Sequence, residues 1–352
     1  MAAGYSVNRL RNLSPITIWP ALTQALTERR IRASTDAMTT DMLDLGAGAT
    51  DGGRIPDTDS PAFSWRGVDK AELPVLIAVP HAGRIYPDSL RERMRDPDYS
   101  ELRLEDRLID LVAAEIARET RAPVIVAHAP RAVLDLNRAD DDMDWDMVAD
   151  GPIDGKGHSR ANRRARSGLG LIPRRLSGLG EIWRERHTQA EVRERIEMIH
   201  EPYHRAVSDS LSAIRRRWGA ALLLDLHSMP PLKKRHPDDK PADFVIGDRF
   251  GASCDGMLSA TALRYFARHK RRAAHNRPYA GGYVLDRHGK PTLGIHAMQV
   301  EVCRSLYLEA DMAEVNERRL PLLAHLLAGL VRDLADDLLP TARTGGLPLA
   351  AE

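Results

Sequence analysis

Ala221-Leu-Leu-Leu-Asp-Leu226 sets five apolar residues around one aspartate, and His227 and Ser228 follow at once. An apolar run of that length, too short for a helix, predicts a strand covered on both faces. Residues 75–80, Val-Leu-Ile-Ala-Val-Pro, have the same character and lead into His81-Ala-Gly83. Such strands need helices above and below them. Leu108, Ile109, Leu111, Val112 and Ile116 make an apolar stripe at helical spacing over 105–119. Residues 188–218 read as helix with Pro202 as a kink or break, 257–269 as another, and 310–338 as a closing helix or pair. Further strands are expected at 124–127, 132–134, 244–246 and 298–302. The alternation predicts an α/β fold, a sheet with helices on both faces.

The 352 residues fit two domains, or one α/β domain with tails. We expect the second: an N-terminal extension over 1–66, partly disordered, a catalytic domain over 67–338 and a C-terminal tail over 339–352. Residues 41–67 string together Gly, Asp, Thr, Ser and Pro with too few apolar residues for a packed core. Ahead of them, 16–33 reads as one short amphipathic helix. The Arg-bearing, acid-poor start looks superficially like a transit peptide, but a variable extension or an over-called start fits better. Fifty-one Lys and Arg against fifty Asp and Glu leave +1, which removes any whole-chain argument for nucleic acid or a membrane surface. No apolar run approaches the roughly 18–20 residues that span a bilayer. Two cysteines, Cys254 and Cys303, make no disulfide framework and point to a reducing compartment, the cytoplasm.

In open α/β sheets ligands bind beyond the carboxyl ends of the strands. His81 arrives there after the first apolar run, His227 after the second, and Glu301 within or just after 298–302, with Arg304 three residues on. Two histidines and a carboxylate suit a catalytic zinc, with a further carboxylate to take a proton from water. The plain alternative is that each histidine is a hydrogen-bonded structural residue. His-Glu-x-x-His, G-x-S-x-G, Walker A and G-x-G-x-x-G patterns are all absent. A second constellation is Arg131-Ala-Val-Leu-Asp135-Leu-Asn137-Arg138. There an amide and a guanidinium fork near a bend can clamp a carboxylate. A local salt bridge from Arg138 to Asp140, Asp141 or Asp142 reads the same residues equally well.

Taken together, these pieces resemble the N-formylglutamate amidohydrolase family over about residues 73–308. The matching blocks include Val-Pro80-His81-Ala-Gly83, Leu104-Glu-Asp106-Arg-Leu-Ile-Asp110, Asp135-Leu-Asn137-Arg138, Pro202-Tyr203-His204, Asp225-Leu-His227-Ser228 and Gln299-Val-Glu301. The resemblance implies a three-layer mixed sheet flanked by helices, like that of zinc carboxypeptidases and aspartoacylases. It also implies metal-dependent hydrolysis of N-formyl-L-glutamate to glutamate and formate in histidine breakdown. It supports His81 and His227 as ligands of one zinc, or another divalent ion, per chain, and Glu301 as the catalytic carboxylate. Arg131 joins the catalytic set. Asn137 and Arg138 would hold a substrate carboxylate, with Arg174, Tyr279 and Arg304 as further substrate contacts.

One departure matters. The carboxypeptidase and aspartoacylase pattern takes a ligand from His-x-x-Glu, and here the third position after His81 is Arg84. We assign the third ligand to Asp106, one helical turn before Asp110 near the start of the expected helix, with Glu105 next; a first-turn acid is the duller reading. The expected partner is a small anionic N-acyl amino acid, with no membrane and no nucleic acid. Alternative substrates are another N-acyl amino acid or a short peptide. Residues 156–186 hold nine Lys and Arg against two Glu, a net of +7. They could meet phosphates, yet offer only Trp183 for base stacking.

Overall fold

The apolar runs at 75–79, 124–127, 221–226, 244–246 and 298–302 all enter one eight-stranded sheet. The computed structural model describes residues 43–153, 163–234, 236 and 238–344. Its strands are β1 (Thr50–Gly52), β2 (Phe63–Arg66), β3 (Val75–Val79) and β4 (Val124–Ala127), then a separate hairpin of β5 (Arg175–Leu176) and β6 (Gly180–Glu181), then β7 (Ala221–Met229), β8 (Phe244–Gly247), β9 (Ala273–His275) and β10 (Ile295–Cys303). The order across the sheet is β1-β2-β4-β3-β7-β10-β8-β9. The central four, β4, β3, β7 and β10, are mutually parallel, whereas β2 meets β4 and β8 meets β10 antiparallel. The sheet is mixed.

The long helices are α1 (Ile109–Thr120), α2 (Glu201–Trp218), α3 (Gly256–Arg268) and α4 (Arg319–Thr344). Side chains along β3 and β7 alternate between two cores, as a period of two requires. Ile77 and Val79, with Leu222 and Leu224, pack with α1, α3 and α4. Leu76, Ala78 and Leu223 pack on the other face with Tyr203, Val207 and Leu211 of α2. Each such leucine or isoleucine contributes roughly 1.5–3 kcal/mol by leaving water. This double burial fixes the register, because a slip of one residue would exchange the two cores. It also places the strand ends.

Several expectations change. Residues 132–134 form a turn: the N–H groups of Val133 and Leu134 return to Pro130 O at 2.9 and 3.3 Å. Residues 41–67 are not without a core from 50 onward. β1 and β2 extend the sheet, and Ile55, Ala62 and Phe63 are buried, so the body of the fold begins ahead of residue 67. Few apolar residues suffice there because each of these three points inward. The closing helix starts at Arg319 rather than 310 and runs on to Thr344, beyond the expected start of a tail at 339. Pro202 does not break its helix. Ile196–His200 forms a π turn in which the Glu201 N–H reaches Ile196 O. Met198 O, four residues before the N–H that Pro202 lacks, accepts from Arg54 N at 3.0 Å instead. The helix expected over 16–33, residues 156–162 of the basic stretch and the end of the tail from 345 lie outside the described residues.

Candidate active site

Because β3, β7 and β10 are adjacent and parallel, their carboxyl ends share one edge of the sheet. His81 leaves β3 two residues past its end, His227 lies near the end of β7, and the register pairs His227 with Glu301 of β10. Asp106 lies in the turn between the helix Pro97–Leu104 and α1, not inside α1 as the spacing suggested. Its N–H donates to His81 O at 2.9 Å, which ties the turn to the end of β3. Asp110 is committed elsewhere: it receives both arms of Arg84 at 2.9 and 2.8 Å. Arg84, the third position after His81, thus has a buried acid of its own. Glu105 turns to Arg107 at 2.7 Å, which leaves Asp106 to the histidines.

His81, Asp106 and His227 are all buried, and each offers one donor atom within 4.8 Å of the others. His227 Nδ1 is 3.0 Å and His81 Nδ1 3.7 Å from Asp106 Oδ2. The far nitrogen of each ring meets another buried carboxylate: His81 Nε2 to Asp135 Oδ1 at 2.6 Å, and His227 Nε2 to Asp225 Oδ2 at 2.9 Å. Carboxylates placed behind imidazoles in this way orient metal-ligating histidines and raise their basicity. Two imidazole nitrogens and a carboxylate oxygen are a donor set that zinc takes, with a position left open. The residues fit a divalent ion.

The charges around this set oppose burial. Desolvation disfavours a charged ring, yet Asp225 and Asp106 raise the pKa of His227 well above its ordinary value. Burial likewise works against the Asp106 and Asp135 carboxylates. Hydrogen bonds from His227 and His81 nevertheless hold Asp106 low, and Arg131, Arg138 and His81 hold Asp135 low. Glu301 behaves the other way. Burial, with Asp106 and Asp225 adding to it, pushes its carboxyl up to about 7 against the pull of His227 and Arg131. Gln299 Nε2 donates to Glu301 Oε1 at 2.7 Å and fixes the carboxylate on the face it shares with His227.

Residues 135–138 form a turn, with the Arg138 N–H on Asp135 O at 3.1 Å. Arg131 Nε donates to Asp135 Oδ2 at 2.8 Å, and Glu301 and Asp106 also support its charge. Arg138 pairs with Asp135 at 3.6 Å, so its local salt bridge is with that residue and not with the acidic run after it. It also reaches Leu169 O and Asn137 O. Tyr279 is half-buried and feels Glu301 and Asp106, which together with desolvation raise its phenol pKa. Arg304 is committed to Ser228 Oγ at 3.1 Å, the carbonyls of Leu102 and Glu105, and Asp106 Oδ1 at 3.5 Å. Arg174 is held by Asp144 at 2.8 Å and Glu181 at 3.0 Å, both outside this network.

Residues 73–308 match the N-formylglutamate amidohydrolase family. The chain belongs to that family. It is 32% identical over 244 residues to an N-formylglutamate deformylase of Pseudomonas putida, covering 68% of this chain and 84% of that protein. A second deformylase, from Pseudomonas aeruginosa, is 29% identical over 293 residues, covering 78% and 96%. The crystal structure of N-formylglutamate amidohydrolase from Ralstonia eutropha JMP134 superposes with a TM-score of 0.66 at 31% identity, covering 77% of this chain and 98% of that one.

For this member of the family, sequence reasoning gave no role to the groups behind the two histidines and Glu301. Asp225 is two residues before His227 in a strand, so the period of two already placed both on one face. Gln299 stands in the same relation to Glu301. Asp135 was legible only as part of the Asp-Leu-Asn-Arg block, since its contact with His81 spans 54 positions.

Proposed function

We propose that this chain is a zinc-dependent amidohydrolase that cleaves N-formyl-L-glutamate to L-glutamate and formate, a step that belongs to histidine breakdown in the cytoplasm. The observation that carries the reading is the buried His81–Asp106–His227 set with Glu301 across the β7–β10 pair. The names of the relatives supply the substrate. No helix among the described residues is long and apolar enough to cross a membrane.

His81, Asp106 and His227 would hold the ion. When bound, such an ion supplies Lewis acidity, lowering the pKa of water and polarising a carbonyl. The protein's own groups do the rest. Glu301, with its carboxyl near neutrality, takes a proton from the attacking water. As the water oxygen bonds to the formyl carbon and the C–N bond breaks, Glu301 passes that proton to the leaving amine. Arg131 uses Nε to hold Asp135, and its two terminal nitrogens have no protein partner among the described residues. They can take the oxyanion that develops on the formyl group. Asn137 and Arg138 hold the α-carboxylate, Tyr279 lines the site, and Arg304 keeps Asp106 in place. Arg174, expected from the sequence as a second clamp for the side-chain carboxylate, is engaged by Asp144 and Glu181. Turnover of N-formyl-L-glutamate by zinc-loaded protein, against N-acetyl-glutamate and dipeptides, tests the proposal. Preference for an acetyl or peptide substrate would replace it.

A further inference from the structure

A second histidine cluster touches residues 135–138 at the carbonyls of Leu136 and Arg138, and the reaction gives it no work. His200 ends the π turn and His204 lies one turn on in α2, with ring centroids 4.4 Å apart. His200 Nε2 is 2.9 Å from Arg138 O, and His204 Nε2 is 3.0 Å from Leu136 O. A carbonyl only accepts, so both rings carry a proton on Nε2. When His204 is neutral its Nδ1 is an acceptor, and His288 Nε2, 3.0 Å away, is the donor to it. His288 ends the short helix Tyr283–His288, and the N–H of Val284 in that helix donates to Asn137 Oδ1 at 2.9 Å. The contacts close a ring: Leu136 carbonyl, His204, His288, short helix, Asn137 side chain.

The three imidazoles are buried, and burial holds all three below the ordinary histidine pKa, His288 down to about 3. Arg287 adds to this at each ring and Lys290 at His288, while Asp140 and Asp135 oppose it at His200. Each ring is therefore neutral and confined to one tautomer. The Val284 N–H can bond only to the oxygen of the Asn137 amide, so Nδ2 of Asn137 must point away from it. A side chain at Gly282 would close that space, because its Cβ would stand 2.5 Å from Asn137 Oδ1.

We infer that His200, His204 and His288 are positioning residues that fix the Leu136 and Arg138 carbonyls and the direction of the Asn137 amide, and so set how tightly a substrate carboxylate is held. This rests on the reading above for what Asn137 binds. The test compares His204→Leu and His288→Leu with His204→Gln, whose amide can still donate to Leu136 O, all in the zinc-loaded full chain. His204→Leu should raise KM for N-formyl-L-glutamate about tenfold or more with kcat within about threefold, the loss of one buried hydrogen bond. His204→Gln should stay within about threefold of wild type in both. A lowered melting temperature with unchanged KM in both leucine variants would overturn the inference, since packing alone predicts that. A second readout needs no substrate: the Asn137 side-chain NH2 signals of 15N-labelled protein should move in the leucine variants and stay in His204→Gln. Unmoved signals in either folded leucine variant would also overturn it. Moved signals in a chain that does not turn over formylglutamate would uphold the positioning role and strike only the substrate reading.

Discussion

Residues 135–138 touch two buried histidine clusters, and the same side chain behaves oppositely in them. His227 is raised well above its usual pKa, whereas His288 is lowered to about 3. Both are almost wholly buried, so burial does not separate them. Their partners do. His81 and His227 face the carboxylates of Asp106, Asp135 and Asp225, which stabilise a positive charge among them. His200, His204 and His288 face one another and Arg287, which disfavour a positive charge, while the carbonyls of Arg138 and Leu136 offset burial at His200 and His204 only in part. The first cluster is built to hold a cation, proton or metal. The second is built to stay neutral and donate in fixed directions.

The largest effect expected from this contrast is on metal. His81→Ala and His227→Ala should each abolish zinc binding and turnover, while His204→Gln keeps full occupancy. Elemental analysis after exhaustive dialysis reads the difference directly. Undiminished zinc in both alanine variants would place the ion at some other site.

Next comes the carboxylate across the strand pair. Glu301→Gln should keep zinc and fold but lose roughly 10²–10⁴ in kcat, the worth of a general acid–base group. Glu301 must be ionised to accept a proton, and its pKa is raised, so activity falls as pH falls. The limb should lie at or below about 7, since a cation beside the carboxylate draws its pKa down. A Glu301→Gln variant with wild-type kcat and the same acid limb would demote the residue to structure.

Much of the first cluster was legible because apolar strand runs deliver His81, His227 and Glu301 to neighbouring ends, and the chemistry of those side chains is written in their names. The second cluster was not. Its partners are backbone carbonyls of Leu136 and Arg138, which carry no label in a sequence, and the π turn that places His200 leaves no residue pattern of its own. β1 and β2 escaped for a related reason: strands of three and four residues are too short for periodicity to show. Asp106 was found by its spacing from Asp110, but the helix it was assigned to begins three residues later.

The second cluster also makes a prediction about acid stability. The folded pKa of His288 lies below its unfolded value near 6.5, so the unfolded chain binds the extra proton in between. Its share of stability is full above about 6.5 and is lost as pH falls toward about 3. His227 has the opposite sign: raised in the fold, its share is full below the unfolded pKa and is lost as pH rises through the folded one. Between pH 7 and pH 5 the His288 share amounts to roughly 2 kcal/mol. Denaturant midpoints should therefore fall less over that interval in His288→Gln than in wild type. Equal falls would mean that the ring already titrates in the native state.

The smallest effect concerns Arg174, expected from the sequence to clamp the side-chain carboxylate of formylglutamate. The structure gives its Nε to Glu181 on the β5–β6 hairpin and a terminal nitrogen to Asp144, which caps the 3₁₀ helix Trp145–Met147. Partly exposed pairs of this kind are worth about 0–1 kcal/mol, and a guanidinium so engaged has little fork left for a ligand. Arg174→Ala should thus lower kcat/KM by less than about fivefold, the equivalent of 1 kcal/mol. The loss should be the same for N-formyl-glutamate and N-formyl-glutamine, because an indirect effect does not distinguish the two side chains. Arg131→Ala on the same pair of substrates supplies the contrast: it faces Glu301 and Asp106 and should hurt both far more. A loss in Arg174→Ala confined to formyl-glutamate would show that Arg174 leaves Asp144 and Glu181 when the dianion binds. The side-chain clamp would then be restored to it.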